Sequence, residues 1–276
     1  MRGMFTAGVL DVLMEHGLTT DGTIGVSAGA VFGCNFKSHQ IGRVIRYNTE
    51  YCNDKRYASF RNLLRTGNLY SEDFCYHEVP EKLDPSMKRP SALRPWTSLS
   101  SAPTCAPATR STTSAAAVTP RTCAGWRPRR PCRWRRRPSG SATTPCWTAA
   151  WPTPSPSASS SLGYKRNLII LTQPKGFVKK KNPMLPAIRA RYLRYPAFVA
   201  AVADRHERYN EALSYIAMQE ASGKDYVIRP PIPLEIGAME RDPAQLRRVY
   251  ETGRAVAENQ IDKIEAFLND VKETEE

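Results

Sequence analysis

An α/β fold with a mainly parallel sheet is predicted by three features of this sequence. Segments whose apolar residues recur at helical spacing alternate with short continuous apolar runs. One such run, Asn167 to Thr172, has the mark of a strand buried on both faces of a parallel sheet, and Tyr226-Val227-Ile228 reads as a second strand. The third feature is Gly25-Val26-Ser27-Ala28-Gly29, a G-x-S-x-G turn between an apolar run and a helix-like run.

In chain order, Phe5, Val9, Leu10, Val12 and Leu13 predict an amphipathic helix over Met4 to His16, ended by Gly17. A turn at Thr20-Asp21-Gly22 leads into the strand that carries Ser27. Val31, Phe32 and Phe36 suit a buried helix running to about Lys37, and Ile41 to Tyr51 is helical again. Leu63 to Tyr70 reads as a helix end and a loop, and Phe74 to Leu83 as a short helix closed by Asp84-Pro85. Beyond the first apolar run, Lys179-Lys180-Lys181 reads as a solvated loop and Phe198 to Glu220 as one helix. Asp242-Pro243-Ala244-Gln245 has the form of an N-cap, an N1 proline and an N3 partner. The helix it opens, with Leu246, Val249, Tyr250, Val256, Ile261, Ile264 and Leu268, runs to about Asn269.

The G-x-S-x-G stretch carries the chemistry. In a strand–turn–helix context it forms a nucleophile elbow, whose tight turn requires small residues two before and two after the serine, hence Gly25 and Gly29. The following helix then aims its free N–H groups at the oxygen where negative charge develops.

Composition bounds the class. The 276 residues suffice for one large domain or two small ones, and no run of eighteen apolar residues predicts a membrane span. The N-terminus lacks a secretory h-region, which points to the cytoplasm. The net charge of +14 would suggest a polyanionic partner. That charge is concentrated: Lys88 to Ser161 holds twelve Lys and Arg and no Asp or Glu, leaving 28 basic against 26 acidic residues elsewhere, or +2. The same segment holds twelve of the 22 prolines and all five tryptophans. The sequence is a near-neutral chain interrupted by one anomalous Pro/Arg/Ser/Thr-rich segment, and a basic-partner argument survives only there. Irregular structure is expected in it, because proline and arginine replace the patterned apolar residues a core needs.

Met1-Arg2-Gly3-Met4-Phe5-Thr6-Ala7-Gly8-Val9-Leu10, followed by the Ser27 elbow, resembles the start of a bacterial patatin-like phospholipase. Leu162 to Leu268, including Leu171-Thr172-Gln173-Pro174, is similar to the same group. The resemblance covers about residues 1–87 and 162–270 and implies a single three-layer α/β hydrolase domain over residues 1–276, interrupted by 88–161. It also implies a serine acyl hydrolase with a Ser–Asp dyad, acting on a lipid or ester. Ser27 matches the nucleophile, and the Ala28 N–H one oxyanion donor. Arg2 and Gly3 match the last two positions of the family's G-G-G-x-R-G oxyanion loop, with Met1 at its variable position. The loop's earlier glycines and the first strand are expected to be missing. No Asp-Gly-Gly or Asp-Gly-Ala, the family's catalytic aspartate motif, occurs downstream of the elbow. No metal or organic cofactor is implied; the membrane surface is a further partner to test, and nucleic acid is not expected.

The missing aspartate has a candidate origin. Codons for Thr143 to Pro156, chosen from a GC-rich set and re-read one nucleotide out of register, yield Asp-Asp-Ala-Leu-Leu-Asp-Gly-Gly-Val-Ala-Asp-Ser-Ile-Pro. Thr122 to Trp134 becomes similarly family-like in that register. Lys88 to Ser161 is therefore read as an out-of-frame translation between two compensating frameshifts. The expected outcome is an acyl hydrolase by descent with impaired activity. The competing reading is a catalytically dead relative whose basic insert binds anionic membrane or RNA. Arg127 to Arg137, with Trp134 among seven arginines, would be its binding arm.

The histidines and cysteines carry less. His206 could be the base of a Ser–His–Asp triad but stands among charges in Arg205-His206-Glu207-Arg208, the setting of a solvated histidine. His16 and His39 fall at helix ends, and His77 is uninformative. No C-x-x-C spacing occurs, so Cys34, Cys52 and Cys75 read as ordinary core thiols and no zinc site is indicated.

Overall fold

Helix α1 (Gly3–Glu15) is the centre of the molecule. The computed structural model of the chain describes residues 1–25, 28–57, 71, 73–85, 166–193, 195–237 and 239–269. Within them α1 buries every residue from Met4 to Met14 except Thr6, so it is enclosed on all sides. The amphipathic pattern expected of it is corrected: a helix apolar on all faces is a core helix, and even its one carboxylate, Asp11, is 1% exposed. It closes at Gly17, whose φ of 68° is a left-handed conformation that glycine adopts without strain.

Helices α2 (Ala28–Lys37) and α3 (Arg43–Tyr51) pack beside α1. The strand expected to lead into Ser27 is absent from its described part, since residues 21–25 are irregular. A strand persists only where a neighbour accepts and donates its backbone hydrogen bonds, and no described strand runs alongside. Phe74–Leu83 is a helix of the wide π type, with Asp84 N–H donating to the Val79 carbonyl at 2.8 Å. It contains Pro80, whose ring would strike the carbonyl four residues back in an α-helix, and the wider turn relieves that clash. Arg43 and Arg46 bind the residue that ends it. Arg46 meets the Asp84 carboxylate at 3.0 and 3.2 Å, and Arg43 Nη2 donates to the Asp84 carbonyl at 2.8 Å.

Strands β1 (Asn167–Ile170) and β2 (Asp225–Ile228) pair in parallel, with Asn167 opposite Asp225 and Ile170 opposite Ile228. Both predicted strands are present, and the described residues form a helix-rich α/β structure with this two-stranded parallel sheet. β1 is half-buried along its length, not enclosed on both faces as expected. Parallel pairing needs a crossover, supplied by α4 (Leu185–Arg191), α5 (Pro196–Ala203) and α6 (Arg205–Ala221). The single helix predicted over Phe198 to Glu220 is two, joined at Asp204, and α4 was not predicted.

Helix α7 (Pro243–Glu258) starts as its sequence dictates. The Asp242 side chain accepts from the Ala244 N–H at 2.9 Å, and Pro243 occupies the first turn. The long helix predicted to Asn269 breaks after Glu258, and α8 (Ile261–Asn269) follows. α7 lies against α1 so closely that glycines meet backbone. A Cβ at Gly253 would fall 2.1 Å from the Phe5 carbonyl oxygen, and one at Gly8 2.1 Å from that of Tyr250. Beside this crossing, Asp11 accepts from Tyr250 Oη at 2.7 Å and the Gly42 N–H at 3.0 Å, while Arg254 grips Glu15 at 2.7 and 2.8 Å. No described helix is long and apolar enough to cross a membrane.

Candidate functional site

The amino ends of α1 and α2 converge. Gly3 is the first residue of α1 and Ala28 the first of α2. A Cβ added at Gly3 would meet the Ala28 Cβ at 2.9 Å and Phe32 Cε2 at 2.8 Å, so the approach requires glycine. Both helices turn the positive end of their dipole toward this junction, while on α1 the Met4 and Phe5 N–H groups already donate to the Met1 and Arg2 carbonyls at 3.2 and 3.1 Å. An anionic oxygen placed there would be favoured by the two helix dipoles.

The proposed site residues fall around this junction. Gly25 is buried just ahead of it, and Gly29 is half-buried in the first turn of α2. Ser27 and Val26 lie outside the described residues, as do Leu63 to Tyr70 and the whole of Lys88 to Ser161. Arg2 immediately precedes α1. A Cβ at Gly29 meets no described atom within 4 Å, and the turn residues Val26 and Ser27 lie outside the described residues.

Arg2 reveals neighbours that sequence reasoning missed. Burial, then Arg205 and Arg2, hold the Lys179 ammonium below the usual lysine value. Burial pushes the Tyr209 phenol up, while Arg2 and Arg205 pull against it. Lys179 Nζ sits 5.0 Å from the centre of the Tyr209 ring. Its backbone exchanges hydrogen bonds with Asn210, at 2.8 Å to Oδ1 and 3.1 Å from Nδ2. Of the three lysines read as a solvated loop, Lys180 and Lys181 are exposed, but Lys179 is half-buried against α6. A run of like residues gave no signal that the first faces inward.

The remaining candidates are accounted for locally. His206 Nδ1 lies 2.8 Å from the Ala203 carbonyl oxygen, so that nitrogen carries the proton, and Glu207 is 3.6 Å from Nε2. Its side chain is 13% exposed, so the solvated reading is corrected. His16 ends α1 and reaches Glu258 at 3.3 Å and Glu265 at 3.7 Å. His39 follows α2, with φ 53°, and His77 lies 3.6 Å from Glu81. Cys34, Cys52 and Cys75 carry free thiols, and burial pushes that of Cys75 up to about 12, which leaves it unreactive. Among the described residues no three His, Cys, Asp or Glu side chains gather as a metal site.

Residues 195–269 are similar to a family described as a domain of unknown function, DUF6363. No curated protein matches the chain. The matched region runs from the residue before α5 to the end of α8 and includes β2 and α7. Its helix α7 buries Leu246, Val249, Tyr250 and Gly253, and the surface that covers them includes α1, which lies outside the match. The matched region therefore completes its core with the N-terminal segment.

Proposed function

We propose that this chain is a patatin-like serine acyl hydrolase of the phospholipase or lipid-esterase type, impaired in the form encoded here. The observation that carries the reading is the junction of Gly3 with Ala28. The two segments that resemble the family's oxyanion loop and nucleophile elbow lie 25 residues apart in sequence and against one another in space. In the proposed reaction Ser27 Oγ attacks the ester carbonyl, and its proton passes to a general base. The alcohol leaves as the acyl–serine ester forms, and water then releases the acid. The Ala28 N–H and the amino end of α1 would receive the oxyanion. The three-layer arrangement, the lipid or ester substrate and a cytoplasmic location at the membrane edge belong to the same proposal.

The impairment follows from the base. No Asp-Gly-Gly or Asp-Gly-Ala stands downstream of Ser27; His206, with Nδ1 donating to the Ala203 carbonyl, keeps Nε2 as its only acceptor. Turnover of a p-nitrophenyl ester by the chain and by Ser27→Ala tests the reading. Hydrolysis near background for both is expected. A large difference between them would reveal a base, with His206 the first to mutate.

A further inference from the structure

Residues 175–203 carry seven Lys and Arg and no Asp or Glu. None of the ion pairs among the described residues uses Lys180, Lys181, Arg189 or Arg191. Apolar side chains stand out of the same stretch: Val178 is 67% exposed, Met184 48% and Leu193 77%. Each is held outward by what lies beneath it. Val178 is flanked by Phe177, edge-on to Tyr209 at 6.2 Å, and by Lys179, whose backbone is bonded to Asn210. Helices α4 and α5 close on a small core of their own, Ile188, Tyr192, Phe198 and Val202. This spends the inner face of α4 and leaves Pro186, Ala187, Arg189, Ala190 and Arg191 exposed. Met184 is the N-cap of α4, and Leu193 lies two residues beyond its last turn.

We infer that α4 and the loop before it form a docking surface for an anionic lipid bilayer. A short helix lying in the interface, with aliphatic side chains inserted and lysines and arginines at headgroup level, has the two signals that reversible membrane attachment needs. Charge complementarity selects an anionic partner, because the exposed Lys175, Lys180, Lys181, Arg189 and Arg191, with no acid in the stretch, would repel a second copy of this surface. The exposed apolar groups are aliphatic and offer no aromatic platform for bases, which disfavours RNA. The surface does not depend on Ser27; only the choice of lipid among polyanions rests on the acyl-hydrolase reading.

The test is co-sedimentation of the full chain with vesicles of phosphatidylcholine alone and of phosphatidylcholine mixed with phosphatidylglycerol. Binding to the anionic vesicles is expected. Residues 88–161 carry twelve cations too, so uncharged truncations decide the matter. Val178→Ala with Leu193→Ala should weaken binding at least tenfold, because buried methylene groups are lost. Ile232→Ala with Met218→Ala, equally exposed elsewhere, should leave it unchanged. Replacing Lys180 and Lys181 by serine should cost about fivefold for each charge. Met184→Ser guards against misfolding: serine favours folding at this helix N-cap, so a loss of binding there is a loss of surface. The inference is overturned if the apolar truncations bind as the unaltered chain does, or if an RNA oligomer displaces the protein from vesicles and depends on the same lysines. Ser27→Ala should bind vesicles normally, so failure of the catalytic reading would appear in ester turnover alone.

Discussion

Gly253 lies against the Phe5 backbone at the α1–α7 crossing, and Gly8 of α1 lies against the backbone of Tyr250 and Arg254. The contact joins residues from the two ends of the chain and fixes the core around which the candidate site is built. In an open helix interior, glycine to alanine is worth up to about 1 kcal/mol in favour of folding. Here the sign should reverse. Gly253→Ala places a methyl group 2.1 Å from a carbonyl oxygen and should cost about 3 kcal/mol. Urea denaturation checks it.

Gly3→Ala should separate the amino ends of α1 and α2. Neither Ala28 nor the Phe32 ring can withdraw without moving its helix, so a loss of about 1–3 kcal/mol is expected. If Gly3 and Ala28 frame the oxyanion site, any serine-dependent turnover should fall further than this loss of stability accounts for. Stability and turnover measured on one preparation separate the two effects.

Asp11 should give the core a pH dependence. Burial raises its pKa above the ordinary value, while hydrogen bonds from Tyr250 and Gly42 lower it in part. A carboxyl raised in the fold stabilises most below its unfolded pKa and loses that contribution as pH rises through the folded one. The stability of the unaltered chain relative to Asp11→Asn should therefore decline from acid toward neutral pH and then level. Tyr250→Phe removes a hydrogen bond to the carboxylate, so the decline should move to higher pH. Denaturation midpoints across pH measure both.

Asp84→Ala should be among the most damaging substitutions outside the helix crossing. Arg43 is buried, with its Nε lacking a hydrogen-bond partner and the Asp84 carboxylate 3.7 Å away. Removing that carboxylate leaves an uncompensated buried charge, at about 3–5 kcal/mol. Recovery by Asp84→Asn to the level of the unaltered chain would show that shape, not charge, matters there.

The nucleotides encoding residues 80–165 test the impaired dyad. Re-read in the register that restores Asp-Gly-Gly, the product should gain acidic residues, lose most tryptophans and approach the +2 balance of the flanks. The restored aspartate should sit about 2.6–3.2 Å from Ser27, and its change to asparagine should reduce turnover nearly as far as Ser27→Ala. Nucleotides with no such frame would make the segment genuine and favour the binding role of its arginines.

Local pattern determined which stretches became helix or strand. The apolar spacing of α1, α2 and α3, the Asp242-Pro243 start of α7 and the runs that became β1 and β2 are interactions among residues a few positions apart, which any reader of the sequence can see. The approach of Ala28 to Gly3 has no counterpart in the local pattern of either segment. Tertiary structure decided the rest. It enclosed α1 on every side, denied residues 21–25 a strand partner, turned Lys179 inward and set Gly3, Gly8 and Gly253 against atoms that leave no room for a side chain. Glycines look alike in sequence; what separates these is an atom brought close from elsewhere in the fold, as Phe5 lies against Gly253. Such contacts follow from how faces pack, and packing depends on the shape of distant partners that no local period encodes.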